Sequence, residues 1–433
     1  ESMYALRPAF DTVADMIGKG KKVPESLLGI FAQNPEYSAK LDSLINAKDK
    51  VPFKIFDKKN AEKLFGKNLN ISASQLEKFN LCRFSYFCNY GLNVRERQRA
   101  EINPMQYGTI VHYILERFFG EYTKEEYLSL EEDKFQKIVC AYLAEYAVKY
   151  FGEEQLESNS FTYRLKTILD NVMYLMKHIM EELSQSEFFV ADCELKIGED
   201  IPSYTIVLPD GHKIAVCGSV DRVDIMQRAD ITYLRIIDYK TGTKQFKLSD
   251  ILYGINLQML LYLHSIEASG GDKYGEIVPA GILYMPATVP YISSDSLKSI
   301  DKLPDELNKK LKMNGLLLKD TEIIHGMDKT DVATYIPVKI KAGEPVSSTS
   351  LATLAEFGKI FKKVDMLIAE MGKNIYNGNI EAKPLKGGHD SCEYCPYDSV
   401  CAYRQSNPIT CFSVDNKTVI EEITNEINGK EEE

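Results

Sequence analysis

One segment reads Gly218-Ser219-Val220-Asp221-Arg222-Val223-Asp224, and a second, after a short gap, reads Ile236-Ile237-Asp238-Tyr239-Lys240-Thr241-Gly242. Both segments are short, apolar and bounded by turn residues, so each predicts a β-strand. Side chains alternate between the two faces of a strand, so Asp238 and Lys240 project from the same face. If the two strands pair as a hairpin, Asp221 lies close to Asp238. The two segments therefore predict a site where two carboxylates and one ammonium group converge.

Such a group of charges suits metal-assisted hydrolysis of a phosphodiester. Two carboxylates hold a hard divalent cation such as Mg²⁺, while the lysine orients or deprotonates the attacking water and screens the phosphate charge. Asp224 points to the face opposite Asp221, so we leave it outside the site. The competing interpretation is a surface ion pair between Asp238 and Lys240. The apolar strand before the pair and Gly242 after it favour the site.

Other candidates lie upstream and downstream of these strands. Gln258 and Tyr262 are four residues apart and share one face of a predicted helix, although a helix that merely buries its leucines would look the same. His112 lies four residues after Gly108, on another predicted helix; a lone histidine there is more commonly structural. Glu194 lies within a predicted strand among apolar neighbours. A buried carboxylate is costly without a cation, which makes Glu194 a candidate for the site.

The periodicity of the chain gives a coarse secondary structure. It predicts helices over residues 8–16, 60–65, 107–119, 132–151, 160–187, 252–266 and 351–374. It predicts strands over residues 188–196, 203–208, 213–224, 232–239 and 275–285. Ser72 and Ser74 are alternative N-caps of a further short helix. We expect an N-terminal segment over residues 1–70, a main domain over 71–410 with an irregular insertion at about 290–348, and an acidic, solvated tail over 411–433.

Composition excludes several classes of protein. The chain has 433 residues, of which 44% are hydrophobic and 27% charged, as in ordinary globular proteins. The net charge of −11 argues against a generally basic nucleic-acid coat, but a locally basic groove stays open. No apolar run is long enough to span a bilayer, so we expect no membrane association. The first residues do not look like a natural start, and we expect the chain to be a piece of a longer protein.

Cysteines form the second cluster of interest. The chain has nine cysteines and shows no signal segment, which indicates a reducing, cytoplasmic environment. Cys392, Cys395 and Cys401 lie within ten residues of one another, and this spacing predicts a metal site. Four thiolates suit either zinc or a [4Fe–4S] cluster, so the spacing leaves both open and requires a fourth ligand.

Taken in order, these motifs resemble the RecB-like nucleases of the PD-(D/E)xK superfamily. The chain is most similar to the nuclease domain of AddAB-type helicase–nucleases, over about residues 55–405. Three further stretches carry that likeness: Ala61-Glu62-Lys63-Leu64-Phe65-Gly66, Met313-Asn314-Gly315-Leu316-Leu317-Leu318 and the cysteine cluster. The resemblance implies an α/β restriction-endonuclease-like core, a central mixed sheet flanked by helices, with helical additions and an iron–sulfur clasp.

The resemblance also assigns roles to residues. It implies that His112, Asp221 and Asp238 bind Mg²⁺ or Mn²⁺ and that Lys240 is catalytic. Glu194, Gln258 and Tyr262 would support that site. The fourth ligand of a [4Fe–4S] cluster would be Cys82, with Cys88 as the alternative. Cys82-Arg83-Phe84 departs from the Cys-Pro-Phe that is common in the family, which weakens the assignment of Cys82.

The function that the resemblance implies is exonuclease cleavage of single-stranded DNA, delivered by a helicase during recombinational repair of double-strand breaks in the bacterial cytoplasm, at the nucleoid. The chain has no Walker A motif, so we expect the motor in an AddA-type partner, in a heterodimer. Arg95, Lys244 and Lys247 are candidates for DNA contact. Two alternatives are an inactive iron–sulfur module for DNA binding or assembly, and a free-standing nuclease of the CRISPR-adaptation type.

Overall fold

The computed structural model describes residues 5–18, 21–46, 54–95, 104–152, 159–242, 245–289, 303–347, 349–401, 403 and 408–431. The chain divides into two compact units, Glu1–Lys54 and Ile55–Glu433. In the first unit, helices α1 (Leu6–Gly18), α2 (Glu25–Gln33) and α3 (Ser38–Asn46) enclose a small apolar core. The ring centroids of Phe10 and Phe31 lie 5.1 Å apart at the centre of that core.

The second unit holds the longer helices, and none of the described helices combines the length and apolar character needed to cross a membrane. They are α4 (Lys58–Phe65), α5 (Ala73–Leu81), α6 (Arg83–Tyr86), α7 (Pro104–Glu121), α8 (Lys124–Leu128), α9 (Glu132–Phe151), α10 (Asn159–Ser184), α11 (Gln258–Ser269), α12 (Gly271–Tyr274), α13 (Leu303–Leu311), α14 (Thr321–Met327), α15 (Leu354–Tyr376) and α16 (Asn416–Glu431). Ser72 is the N-cap of α5 and forms a reciprocal capping box with Gln75, which decides between the two predicted serines.

The strands are β1 (Asn68–Ile71), β2 (Phe189–Ile197), β3 (Thr205–Val207), β4 (Lys213–Val216), β5 (Gly218–Arg228), β6 (Ile231–Lys240), β7 (Glu276–Pro286), β8 (Asn314–Leu318), β9 (Lys339–Lys341), β10 (Glu344–Val346), β11 (Leu351–Ala352), β12 (Leu385–Gly387) and β13 (Ile409–Cys411). Six of them form the central sheet, in the order β11-β8-β7-β6-β5-β2. The sheet is mixed, because β6 pairs in parallel with β7 while β5 pairs antiparallel with both β2 and β6.

Helices flank this sheet. The parallel strands β6 and β7 need a crossover connection, and α11 supplies it with every side chain from Met259 to Ile266 buried. Helix α7 packs against β2 and β6, and α9 packs against α7. The predicted α/β fold, a central mixed sheet flanked by helices, is thereby confirmed.

Two predicted elements are each divided in the structure. Residues 213–224 form two strands, since β4 pairs with β1 and β3 in a small separate sheet and β5 belongs to the central one. The predicted helix over residues 252–266 begins later, at Gln258. It is preceded by a 3₁₀ turn, Leu248–Tyr253, which ends at Gly254 in the left-handed region (φ 69°). The apolar character of both segments runs through their breaks, so periodicity did not reveal them.

Two segments expected to be irregular are ordered where they are described. The stretch 290–348 contains β8, which pairs with β7 and buries Leu316 and Leu317 completely. The acidic tail forms α16, and its residues Val419, Ile423 and Ile427 are buried in the main core. Their spacing of four residues places them on one helical stripe, although glutamates dominate the composition around them.

Candidate active site

The site lies where β5 and β6 separate. Their antiparallel pairing ends at Arg222 and Ile237, one residue before Asp221 on β5 and Asp238 on β6. At this point the backbone N–H of Tyr239 donates a hydrogen bond to Asp221 Oδ2, at 2.9 Å. A carboxylate has therefore replaced the next backbone partner, and the two aspartates occupy the diverging ends of paired strands.

His112 reaches this point from α7. The helix is fixed by a buried stripe that includes Ile110, Val111 and Ile114. The Nδ1 atom of His112 lies 2.8 Å from Glu194 Oε1, and its Nε2 atom lies 3.6 Å from Asp221 Oδ2. One ligand atom from each of these three residues lies within 4.8 Å of the other two, which defines the His112–Glu194–Asp221 group.

Glu194 enters this group through an unusual backbone conformation. It has a φ angle of 51°, in the left-handed region, within a strand whose register with β5 shifts between Val190 and Asp192. Ser219 Oγ donates a hydrogen bond to Glu194 Oε2 at 2.9 Å, while the other carboxylate oxygen faces His112. Non-glycine residues are held in this region at an energetic cost, and such strain concentrates at functional sites.

Asp238 and Lys240 form the second part of the site. The Nζ atom of Lys240 lies 2.5 Å from Asp238 Oδ2, and Asp238 is only 2% exposed. The same ammonium group lies 5.9 Å from the ring centroid of Tyr284 on the neighbouring strand. Asp238 does not belong to the His112–Glu194–Asp221 group, so the structure brings Glu194, and not Asp238, to within ligand distance of His112 and Asp221.

Burial and mutual repulsion strongly perturb these acids. Burial, together with the nearby charge of Asp238, raises the pKa of Asp221 to about 7. Burial alone would lower the pKa of His112, but the hydrogen bond with Glu194 and the charge of Asp221 outweigh it and raise that pKa. Buried carboxylates this close together favour a bound cation, and a donor set of two carboxylates and an imidazole fits a divalent metal ion.

The remaining predicted residues lie around the site. Tyr262 is buried against the start of β5, where a Cβ atom added to Gly218 would lie 2.2 Å from its hydroxyl oxygen. Gln258 is the half-buried first residue of α11. Neither Tyr262 nor Gln258 is among the described residues that line the cavity beside His112 and Lys240. The geometry indicates packing and support for Tyr262.

The alternation of the strand hid the part played by Tyr239. Its side chain points away from Asp238, yet its ring meets His112 edge to face, with centroids 5.8 Å apart. Its hydroxyl also accepts a hydrogen bond from Arg222 Nη1, at 3.3 Å. Nothing in the sequence pattern indicated that this residue would contact both α7 and the residue next to Asp221.

Four of the cysteines lie in one apolar cluster. Cys82 and Cys88 are buried there beside Tyr397, and Cys395 and Cys401 pack against them. Burial raises the pKa of the Cys82 thiol, and the nearby Cys401 adds to the effect. Of the described residues, only the His112–Glu194–Asp221 group has three ligand atoms within 4.8 Å of one another, so the sulfur atoms are grouped without being gathered to that degree.

The loop that carries Cys392, Cys395 and Cys401 is fastened to the helical front of the second unit. The hydroxyl of Tyr397 donates a 2.7 Å hydrogen bond to the carbonyl of Val94. Cys392 lies outside the apolar cluster, and its N–H donates to Asp390 Oδ1 at 2.8 Å. A set of thiols in this setting fits a thiolate-bound metal centre, and both Cys82 and Cys88 remain candidates for the fourth ligand.

The basic residues differ in what they contact. Arg95 and Lys247 are exposed, and Lys244 lies outside the described residues. Lys312, from a basic run that the sequence suggested for DNA, instead donates hydrogen bonds to the carbonyls of Ala333 and Val338, at 2.6 and 3.0 Å. Its role is therefore structural.

Comparison with known proteins agrees with this geometry. Residues 70–402 match the model of the PD-(D/E)XK nuclease superfamily, and the chain belongs to that family.

Similar curated proteins include several named as the AddB subunit of an ATP-dependent helicase/deoxyribonuclease. The one from Thermoanaerobacter sp. (strain X514) is 34% identical over 354 residues, which are 79% of this chain and 30% of the relative. The one from Ruminiclostridium cellulolyticum is 33% identical over 398 residues, 88% of this chain and 34% of the relative. That from Clostridium acetobutylicum is 32% identical over 433 residues, 93% and 37% respectively. The chain thus spans about a third of the length of these relatives.

Proposed function

We propose that this chain is a metal-dependent deoxyribonuclease that hydrolyses phosphodiester bonds of single-stranded DNA, acting as an exonuclease. One observation carries the proposal: the His112–Glu194–Asp221 group and the Asp238–Lys240 pair meet at the diverging ends of β5 and β6. Membership of the nuclease superfamily supports it.

The residues of the first group act as metal ligands and as their supports. His112 and Asp221 would hold Mg²⁺ or Mn²⁺, with Glu194 or Asp238 completing the set of protein ligands. A divalent ion bound there supplies charge neutralisation at the phosphate and a more acidic water. Glu194 Oε1 faces His112 Nδ1, which leaves the Nε2 atom directed toward Asp221. The N–H of Tyr239 fixes the orientation of the Asp221 carboxylate.

Lys240 handles the proton and the phosphate charge. Asp238 holds its Nζ atom in place, 2.5 Å away, and Lys240 lines the same cavity as His112 and Glu194. From there the ammonium group donates a hydrogen bond to a non-bridging phosphate oxygen and orients the attacking water. General acid–base groups of this kind contribute about 10²- to 10⁴-fold to a rate.

The name of the relatives supports a larger assembly. The chain would receive a single-stranded DNA end from a helicase motor, which we assign to an AddA-type partner in a heterodimer. The process served would be recombinational repair of double-strand breaks, in the cytoplasm at the bacterial nucleoid. A [4Fe–4S] cluster on Cys82, Cys392, Cys395 and Cys401 would fasten the two ends of the nuclease domain and play no redox part.

The test is cleavage of an end-labelled single-stranded oligodeoxynucleotide by the anaerobically purified chain, with Mg²⁺, with Mn²⁺ and with a chelator. Variants Asp238→Asn and Lys240→Ala remove the charges of the proposed pair. Lys417→Ala is the matched control, because Lys417 forms an exposed ion pair with Glu421 on α16. We expect kcat to fall by at least about 100-fold in the first two variants, with DNA binding retained.

Cleavage at the wild-type rate in both Asp238→Asn and Lys240→Ala would overturn the assignment of the site. DNA retention without cleavage, under Mg²⁺ and Mn²⁺ alike, would favour an inactive iron–sulfur module for DNA binding. Progressive shortening from an end supports the exonuclease, whereas internal fragments alone would contradict it.

A further inference from the structure

The cavity beside the site has a second wall that the chemistry above does not use. It has a volume of about 670 Å³, and His112, Glu194 and Lys240 line one side. The other side carries three tyrosines, Tyr113 from α7 and Tyr146 and Tyr150 from α9. An aromatic wall and a proposed phosphate-cleaving wall thus face one cavity.

The three rings form a graded stack. Tyr113 and Tyr146 meet edge to face with centroids 5.2 Å apart, and Tyr146 and Tyr150 lie 4.4 Å apart at an interplanar angle of 34°. Tyr146 is 4% exposed, whereas Tyr150 is 55% exposed. Tyr146 and Tyr150 are four residues apart on α9, so the buried ring lies beneath the exposed one and holds it in place. Tyr150 therefore offers a supported aromatic surface at the mouth of the cavity.

The charges near this surface favour a base over a phosphate. Glu116 also lines the cavity, and Glu145 Oε1 accepts a 2.6 Å hydrogen bond from the hydroxyl of Tyr113. Carboxylates at these positions repel a phosphate group, while the neutral rings do not. Lys149 Nζ lies 5.2 Å from the centroid of the Tyr150 ring, a contact that an exposed lysine makes only weakly. Base stacking on an aromatic ring is stronger, so a base displaces this lysine.

We propose that Tyr150, supported by Tyr146, is a stacking platform for one unpaired base of a single-stranded DNA substrate, next to the phosphate that is cleaved. The proposal rests on the proposed function for the position of that phosphate. The platform tolerates any base, since every base has an aromatic face. It requires a single strand, because the bases of a duplex are already stacked on one another.

The first experiment measures binding without cleavage. A single-stranded oligodeoxynucleotide carrying 2-aminopurine at successive positions is titrated with the chain in Ca²⁺. We expect fluorescence quenching at one position, lost in Tyr150→Ala and kept in Tyr150→Phe. Tyr163→Ala is the control, because Tyr163 is 73% exposed and does not line the cavity. Equal quenching in the wild type and in Tyr150→Ala would overturn the platform.

The second experiment measures cleavage in Mg²⁺ on the same strand, with and without one abasic nucleotide at that position. We expect Tyr150→Ala to raise KM by about 5- to 100-fold with little change in kcat, and the abasic nucleotide to have the same effect on the wild type. The abasic nucleotide should add nothing to Tyr150→Ala. Quenching without any cleavage would retain the platform and reject the nuclease, whereas cleavage with KM unchanged in Tyr150→Ala would reject the platform alone. A wild type that shows neither quenching nor cleavage would count against both.

Discussion

The backbone N–H of Tyr239 donates a 2.9 Å hydrogen bond to Oδ2 of Asp221, across the point where β5 and β6 stop pairing. The bond sets the carboxylate of one strand by the backbone of the strand that carries Asp238 and Lys240. Any movement between the two strands therefore shifts the proposed ligands and the proposed catalytic lysine together. The distance between the two chemical elements of the site is fixed by the sheet.

The variant Asp221→Asn should separate the two roles of this side chain. An asparagine retains an oxygen that accepts the hydrogen bond from Tyr239, but it loses the charge that a cation needs. We expect an unchanged urea midpoint and Mn²⁺ affinity weaker by at least about 10- to 100-fold, measured by calorimetric titration. Asp272→Asn, at an exposed position on α12, is the control. Unchanged Mn²⁺ affinity in Asp221→Asn would remove Asp221 from the proposed ligands.

Gly218 and Tyr262 should be energetically coupled. A Cβ atom at Gly218 would lie 2.2 Å from the hydroxyl oxygen and 2.5 Å from Cζ of Tyr262. We expect Gly218→Ala to lower the free energy of unfolding by about 1–3 kcal/mol. Because Tyr262→Leu makes room for the added methyl group, the double variant should be more stable than the sum of the two single effects, by at least about 0.5 kcal/mol. Additive effects in urea unfolding would show that the two residues do not compete for space.

The variant Asp224→Asn should be far more destabilising than an ordinary loss of charge. Asp224 belongs to a buried quartet with Arg222, Arg235 and Glu182, and all four side chains are 0% exposed. Arg222 contacts Asp224 through Nε at 2.8 Å and Nη2 at 2.7 Å, and Arg235 Nη2 lies 2.6 Å from Glu182. Removing one carboxylate leaves a buried positive charge uncompensated, which costs about 3–5 kcal/mol.

The control for the quartet is Glu421→Gln, because Glu421 pairs with Lys417 where both side chains are mostly exposed. Such a surface pair contributes at most about 1 kcal/mol. Urea unfolding of both variants measures the contrast. Equal losses of stability would mean that the quartet is not held together as tightly as its distances indicate.

The quartet also illustrates what the sequence could predict. Strand alternation correctly separated Asp224 from Asp221, and it identified Asp238 with Lys240 as a pair, because both inferences depend on neighbours along one strand. It did not indicate Glu182, which comes from α10, 40 residues before Arg222. Nor did it place Glu194, whose approach to His112 depends on a local φ of 51°. The contacts that failed prediction join distant segments or depend on a single backbone angle, and periodicity contains neither kind of information.

His264 should make stability fall at alkaline pH. Burial lowers the pKa of His264, but hydrogen bonds with Asp365, at 2.9 Å, and with Glu267 outweigh it and raise the pKa to about 9. A group whose pKa is raised on folding stabilises the folded chain below its unfolded pKa of about 6.5, and this contribution is lost as the pH rises through about 9. The hydroxyl of Tyr204 also donates to Asp365, and the ring of Phe361 stacks on His264.

Urea unfolding at pH 6 and pH 9.5 checks this effect. We expect the wild type to lose on the order of 2 kcal/mol more than His264→Gln over this interval, because the variant has no proton to release. A matched control is His325→Gln, since the imidazole of His325 faces the carbonyl of Gly343 and is partly exposed. Parallel stability profiles for the wild type and His264→Gln would contradict the assignment.

The cysteine cluster should respond unequally to serine substitution. Cys395→Ser and Cys401→Ser remove thiols that pack against the buried pair Cys82 and Cys88, so each should abolish retention of a thiolate-bound metal. Of the buried pair, only the true fourth ligand should behave in this way, and Cys140→Ser, on α9, is the control that should retain the metal. Iron, sulfide and zinc content after anaerobic purification, with the visible absorbance, gives the measurement. Loss of metal in Cys88→Ser, with retention in Cys82→Ser, would move the fourth ligand to Cys88. Stoichiometric zinc in a colourless wild-type chain would replace the iron–sulfur cluster with a zinc site, because four thiolates accept either metal.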